Sequence, residues 1–124
     1  MLITRGLHEM INFGKVMGAT ADSFLGTAGI GDLIATATSE ASRNYRFGYQ
    51  FAQDGSLDAV HSDMDEIAEG VRTLRFIYEI SVGERLQVPI TSMLYKIFYE
   101  NATFEGAMEY LMRYPYVRDV DFLN

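Results

Sequence analysis

The sequence has 124 residues, 48% hydrophobic and 22% charged, which suits one globular domain with its own core. It has no cysteine, which excludes a disulfide framework and a thiolate metal site. The formal net charge of −7, with two lysines against eight arginines, argues against nucleic-acid binding. No apolar run approaches a membrane span, and "MLITRGLHEM" lacks the long apolar core of a signal peptide, so a cytoplasmic location is expected.

In chain order, Ile3, Leu7, Met10, Ile11 and Met17 recur at helical spacing and predict a helix over 2–17, stopped by Gly18. Asp22 reads as the N-cap of a short turn ending near Gly26. A short helix is predicted from about Gly31, carrying Leu33 and Ile34. Ser39 is the expected cap of the next helix, with Ala41, Tyr45, Gly48 and Ala52 as one stripe and Phe47 and Phe51 beside it. The "QDGS" turn at 53–56 ends that helix, and Ser56 caps a short one from Leu57 to about His61. Ile67, Val71, Leu74, Ile77 and Tyr78 predict a long helix over 66–84. Pro89 marks entry into a helix with Ile90, Met93, Leu94, Ile97 and Phe98 on one face. Thr103 caps a last one, with Phe104, Ala107, Met108, Leu111 and Met112 in the same pattern, closed by Pro115. No strand alternation, internal repeat or low-complexity linker intervenes. The expected fold is all-α, a single domain of six to eight helices.

The chemistry concentrates in "GIGDLIATATSEASRNYRFG", residues 29–48. Paired glycines let backbone N–H groups approach a ligand, and Asp32 can accept a hydrogen bond from a hydroxyl or orient an ammonium. With Ser39 as cap, Ser42, Arg43 and Asn44 fall in a first helical turn, where free backbone donors and the positive dipole end suit a phosphate. The competing reading is a plain helix corner, with Asp32 and Ser39 as caps and Arg43 exposed. The segment is neither a P-loop nor a Gly-x-Gly-x-x-Gly fingerprint, since no Gly-Lys-Ser/Thr follows and Ile34 takes the third glycine's place.

Elsewhere the signals are weaker. Arg43 with Arg46, and Arg72 with Arg75, are pairs at i,i+3 spacing that suit an anion site or surface ion pairs to Glu66, Glu69 and Glu79. His8 and His61 lack metal-ligand spacing, so no metal is expected. Asp58, Asp63, Asp65 and Glu66 read as a solvated face. The apolar stripes at 90–98 and 104–112 read as core, with any surplus available as an interface.

"LITRGL", "GTAGIGDLIATATSEASRNYRFG", "EGVRT" and "VPIT" stand in the order and at the spacing seen in bacterial-type NAD(P)-dependent glycerol-3-phosphate dehydrogenases. The chain resembles the C-terminal, substrate-binding domain of that family from Leu2 to about Met112. The resemblance implies a helical domain like the C-terminal one of the 6-phosphogluconate-dehydrogenase-like superfamily. It also implies interconversion of sn-glycerol 3-phosphate and dihydroxyacetone phosphate for phospholipid precursor synthesis. By similarity, Asp32, Ser42, Arg43 and Asn44 match substrate-binding positions, while Arg43, Ile67 and Glu69 match positions that touch NAD or NADP.

The family's N-terminal Rossmann domain has no counterpart in these residues. Its proton-transferring lysine would lie upstream of "LITRGL", and Lys15 and Lys96 do not match it. The expectation is an excised or partial domain, inactive alone, that pairs with a Rossmann domain and leaves self-association open. Two alternatives remain: a non-catalytic helical module binding a phosphorylated small molecule or a protein, and a related dehydrogenase of another hydroxy acid.

Overall fold

A computed structural model describes residues 1–55 and 64–115, with the side chains of 64–69 outside the described set. Among the described residues six α-helices follow one another: α1 (Leu2–Val16), α2 (Asp32–Thr38), α3 (Arg43–Asp54), α4 (Met64–Gly83), α5 (Pro89–Glu100) and α6 (Phe104–Arg113). A 3₁₀ turn (Ala21–Phe24) and a π-turn (Thr27–Gly31) join α1 to α2. No strand occurs among the described residues. The all-α expectation holds, and the helix expected over 57–61 lies outside the described residues.

The apolar stripe of α1 is narrower than its spacing suggests. Leu7 and Ile11 are buried, whereas Met10 and Met17 are exposed. Gly18 stops the helix as expected, adopting φ +91, a conformation open to glycine. The following turn is capped at Thr20, not Asp22, which sits inside it. The π-turn was not readable from periodicity, because one extra residue per turn leaves no repeating pattern.

The inner core joins α5 and α6 through Met93, Ile97, Ala107 and Leu111, with Phe51, Leu94, Phe98 and Met108 packed around them. Leu111 is wholly buried, a contribution of about 2–3 kcal/mol. On α3 it is the Phe47 and Phe51 stripe that turns inward, both rings meeting Phe98 at centroid distances of 5.8 and 5.0 Å. Ala41, Gly48 and Ala52 of the other expected stripe are exposed. Phe104 and Met112 also lie at the surface, so the last helix buries only part of its apolar face.

A tyrosine ladder fastens α4 to α5. Tyr78 stacks on Tyr95 at 3.9 Å and Tyr95 on Tyr99 at 4.9 Å, and the Tyr99 hydroxyl donates to the Val71 carbonyl at 2.7 Å. At the other end, Arg5 Nη1 of α1 donates to the Leu111 carbonyl of α6 at 3.1 Å. Two helix starts follow their sequence signals: Pro89 occupies the first position of α5, and Thr103 Oγ1 accepts from Gly106 N at 3.1 Å.

Ser81 of α4 is wholly buried and its hydroxyl has no hydrogen-bond partner among the described residues. Removing an unsatisfied hydroxyl relieves its desolvation cost, and alanine favours helix more than serine. Ser81→Ala is therefore expected to stabilise the protein by about 0.5–1 kcal/mol. The urea midpoint should rise at unchanged slope, and a fall would show that Ser81 has a partner in solution.

Candidate functional site

The first turn of α3 gathers three of the sequence-predicted residues. Ser42, not Ser39, is the N-cap: its Oγ accepts from Tyr45 N at 3.3 Å. Ser39 Oγ instead accepts from Ala41 N at 3.2 Å and shapes the loop before the helix. The expected register therefore shifts by three positions. Ser42 sits at the threshold of the helix and Arg43 and Asn44 open it, both exposed. A helix start directs backbone N–H groups and a partial positive charge outward. Here that end carries a guanidinium, an amide and a hydroxyl, a donor-rich set suited to an anion.

Arg46, one turn further on, does different work. Its Nη1 donates to the carbonyls of Ala41 at 3.1 Å and Glu40 at 3.4 Å, tying the loop to the helix it leads into. Arg75 pairs with Glu79 at 2.9 Å on the exposed face of α4, an ion pair of little energetic weight. The arginine pairs thus divide between holding a loop, pairing on the surface and, at Arg43, opening α3.

Asp32 is exposed at the first position of α2. It stands at the opposite end of that helix from the Ser42 corner, a separation along the axis of roughly 10 Å for seven residues. The π-turn sets its place. Gly29 N and Gly31 N both donate to the Gly26 carbonyl, at 3.1 and 3.4 Å, and the turn runs directly into Asp32.

Of the two glycines there, Gly29 has a packing role beside the ligand approach that their spacing suggests. Gly29 is buried, and a Cβ on it would land on the backbone carbonyl of Phe24. Gly14 of α1 is buried too, and a Cβ there would enter the Phe24 ring. Phe24 is thus received by glycines on two elements, a packing role that sequence spacing did not disclose.

A second feature escaped the sequence reading. Glu9 of α1, only 7% exposed, accepts hydrogen bonds from Ile90 N at 2.5 Å, Thr91 N at 3.0 Å and Thr91 Oγ1 at 2.8 Å. It caps α5 from another helix, because Val88 at the N-cap position supplies no side-chain bond. Burial pushes the Glu9 carboxyl above its ordinary range, and the three donors pull against that rise. The available signal was Pro89 opening a helix with no Ser, Thr, Asp or Asn before it.

Beside Glu9 lies an apolar groove of about 320 Å³, lined by Gly6, Met10, Phe13, Phe24, Leu33 and Val88 among others. A larger hollow of about 540 Å³ runs between Phe51, Phe98, Asn101 and Phe104. Asp32, Ser42, Arg43 and Asn44 line neither of them. Ile67 and Glu69 fall on the first turns of α4, and their side chains lie outside the described residues. His8 Nε2 pairs with Asn12 Nδ2 at 3.0 Å, and among the described residues no three His, Asp or Glu side chains gather to hold a metal. No helix among them is long and apolar enough to cross a membrane.

Residues 1–109 match the family described as NAD-dependent glycerol-3-phosphate dehydrogenase C-terminus. A glycerol-3-phosphate dehydrogenase of the NAD(P)+ type from Leuconostoc mesenteroides is 46% identical over 114 residues, covering 92% of this chain and 34% of the relative. Its namesake from Pseudomonas putida is 42% identical over 124 residues, 100% of this chain and 36% of the relative. That from Psychrobacter cryohalolentis is 41% identical over 123 residues, covering 99% and 28% respectively. The chain thus spans about a third of the length of the curated relatives it matches.

Proposed function

This chain belongs to the family of NAD-dependent glycerol-3-phosphate dehydrogenase C-terminal domains, and on that premise we propose that it is the substrate-binding half of such an enzyme. The reaction is interconversion of sn-glycerol 3-phosphate and dihydroxyacetone phosphate in the cytoplasm. The clustering of Ser42, Arg43 and Asn44 on the exposed start of α3 carries this reading. Arg43 and Asn44 hold the phosphate, helped by the positive helix end, and Asp32 takes a substrate hydroxyl.

Hydride chemistry is supplied by NAD or NADP when bound. The exposed Arg43 guanidinium has the charge and donor fork that suit a phosphate-bearing ligand, and the family resemblance adds Ile67 and Glu69. The proton-transfer group comes from outside these residues. Lys96 lies over the Tyr110 ring at 4.9 Å, packed between α5 and α6 rather than at the α3 corner. By the family resemblance, a dinucleotide-binding domain completes the site. Exposed Leu2, Met10, Leu25 and Ile34 on the α1 to α2 segment support a covering partner of that kind.

Arg43→Ala in an enzyme carrying both domains is expected to lower kcat/KM for glycerol 3-phosphate about 10–100-fold, the worth of one charged hydrogen bond. The 124-residue chain alone should show no turnover, and a separately produced dinucleotide-binding domain should restore it. Full activity of the alanine variant, or turnover by the chain alone, would overturn the assignment.

A further inference from the structure

We propose that Phe24 is a positioning residue for Asp32, with Gly14 and Gly29 as the seat that holds it. The proposal rests on reading Asp32 as a substrate ligand. Phe24 ends the 3₁₀ turn, and its two halves meet two different elements. Its ring lies on α1 where Gly14 leaves room for it, and its carbonyl lies against Gly29 of the π-turn. The donations of Gly29 N and Gly31 N to the Gly26 carbonyl make that turn one bonded unit ending at Asp32. α1 meets the 3₁₀ turn, that turn meets the π-turn, and the π-turn meets α2, which also touches α1 and α3 directly, so the Phe24 ring on α1 is one of the contacts that set where the carboxylate of Asp32 begins.

The two glycines differ in what a side chain would displace. At Gly29 the obstacle is backbone, whereas at Gly14 it is the outer end of the Phe24 ring. The groove beside Gly14, Phe24 and Leu33 gives a displaced ring somewhere to go. Gly14→Ala is therefore a substitution that moves Phe24 while leaving the helices paired. An active site tolerates little such movement, since a ligand group displaced by a fraction of an ångström loses its transition-state geometry.

The test is a cycle in an enzyme carrying both domains: Gly14→Ala, Phe24→Leu and their combination, each with Asp32 intact and with Asp32→Asn. With Asp32 intact, Gly14→Ala is expected to lower kcat/KM for glycerol 3-phosphate about three- to tenfold and leave KM for the dinucleotide unchanged. Adding Phe24→Leu, which shortens the side chain that the new methyl group strikes, should recover part of that loss. In the Asp32→Asn background the same changes should cost less than about twofold.

Losses equal in both backgrounds, or no loss with Asp32 intact, overturn the positioning role. Should Gly14→Ala fail to fold by circular dichroism, Phe24→Leu alone carries the same comparison. If Asp32→Asn itself leaves kcat/KM intact, the assignment of Asp32 to substrate falls, and this proposal falls with it. That failure is distinct from one in which Asp32→Asn is impaired and the glycine variant is not.

Discussion

Gly29→Ala is expected to destabilise the protein by about 3–5 kcal/mol, a large effect for the addition of one methyl group. The new Cβ would coincide with the Phe24 carbonyl, a backbone group that cannot swing aside as a side chain does. Relief requires moving the 3₁₀ turn, held by Leu25 N donating to Asp22 O at 3.2 Å, or opening the π-turn at Gly29 N to Gly26 O. Gly31→Ala is the control. Its Cβ would meet Thr27 Cγ2 at 3.6 Å, ordinary contact, so its cost should stay within about 1 kcal/mol. Urea unfolding of both variants separates the cases, and similar midpoints would show that Gly29 is not tightly seated.

Glu9→Ala should cost about 3–4 kcal/mol, because it strips the cap from α5 and leaves three donors without their acceptor. The pH dependence of the same residue has a definite sign. Burial holds the folded carboxyl above its unfolded value of about 4.5, so the folded state binds the proton more tightly. The Glu9 contribution to stability is thus fullest below the unfolded value. It declines as pH rises through the folded one, then levels off. Glu9→Gln cannot ionise and should lack that decline. Its stability relative to the native chain should therefore rise as pH increases above about 4.5, the unfolded value. A difference that is flat, or of opposite slope, would place the Glu9 carboxyl at or below its ordinary range.

Helices with strong periodicity and local caps were legible in the sequence. α5 and α6 carry both: Pro89 and Thr103 mark their starts, and Met93, Ile97, Ala107 and Leu111 mark their inner faces. The α3 cap was misplaced because Ser39 and Ser42 are equally good cap residues, and only the path of the chain decides between them. On α3, which stripe turns inward depended on Phe98 of a distant helix. At the site, the Ser42 to Asn44 cluster was legible because consecutive residues need no tertiary information to sit together. The Glu9 cap and the Phe24 seat join distant segments. A Glu between Leu7 and Ile11 carries no mark of the backbone groups it will meet.

The bond from Glu9 to Ile90 spans 81 residues and that from Arg5 to Leu111 spans 106. Docking α1 therefore closes loops that cover most of the chain, at an entropic cost of about 4 kcal/mol for a span of this order. The pairing of α5 with α6 involves adjacent helices and closes early by comparison. A contact made after the rate-limiting step leaves the speed of folding nearly untouched and governs how long the native state lasts. Glu9 then acts as a latch. Its loss is expected mainly in the unfolding limb of a chevron, and an equal loss in the folding limb would place the bond to Ile90 in the transition state.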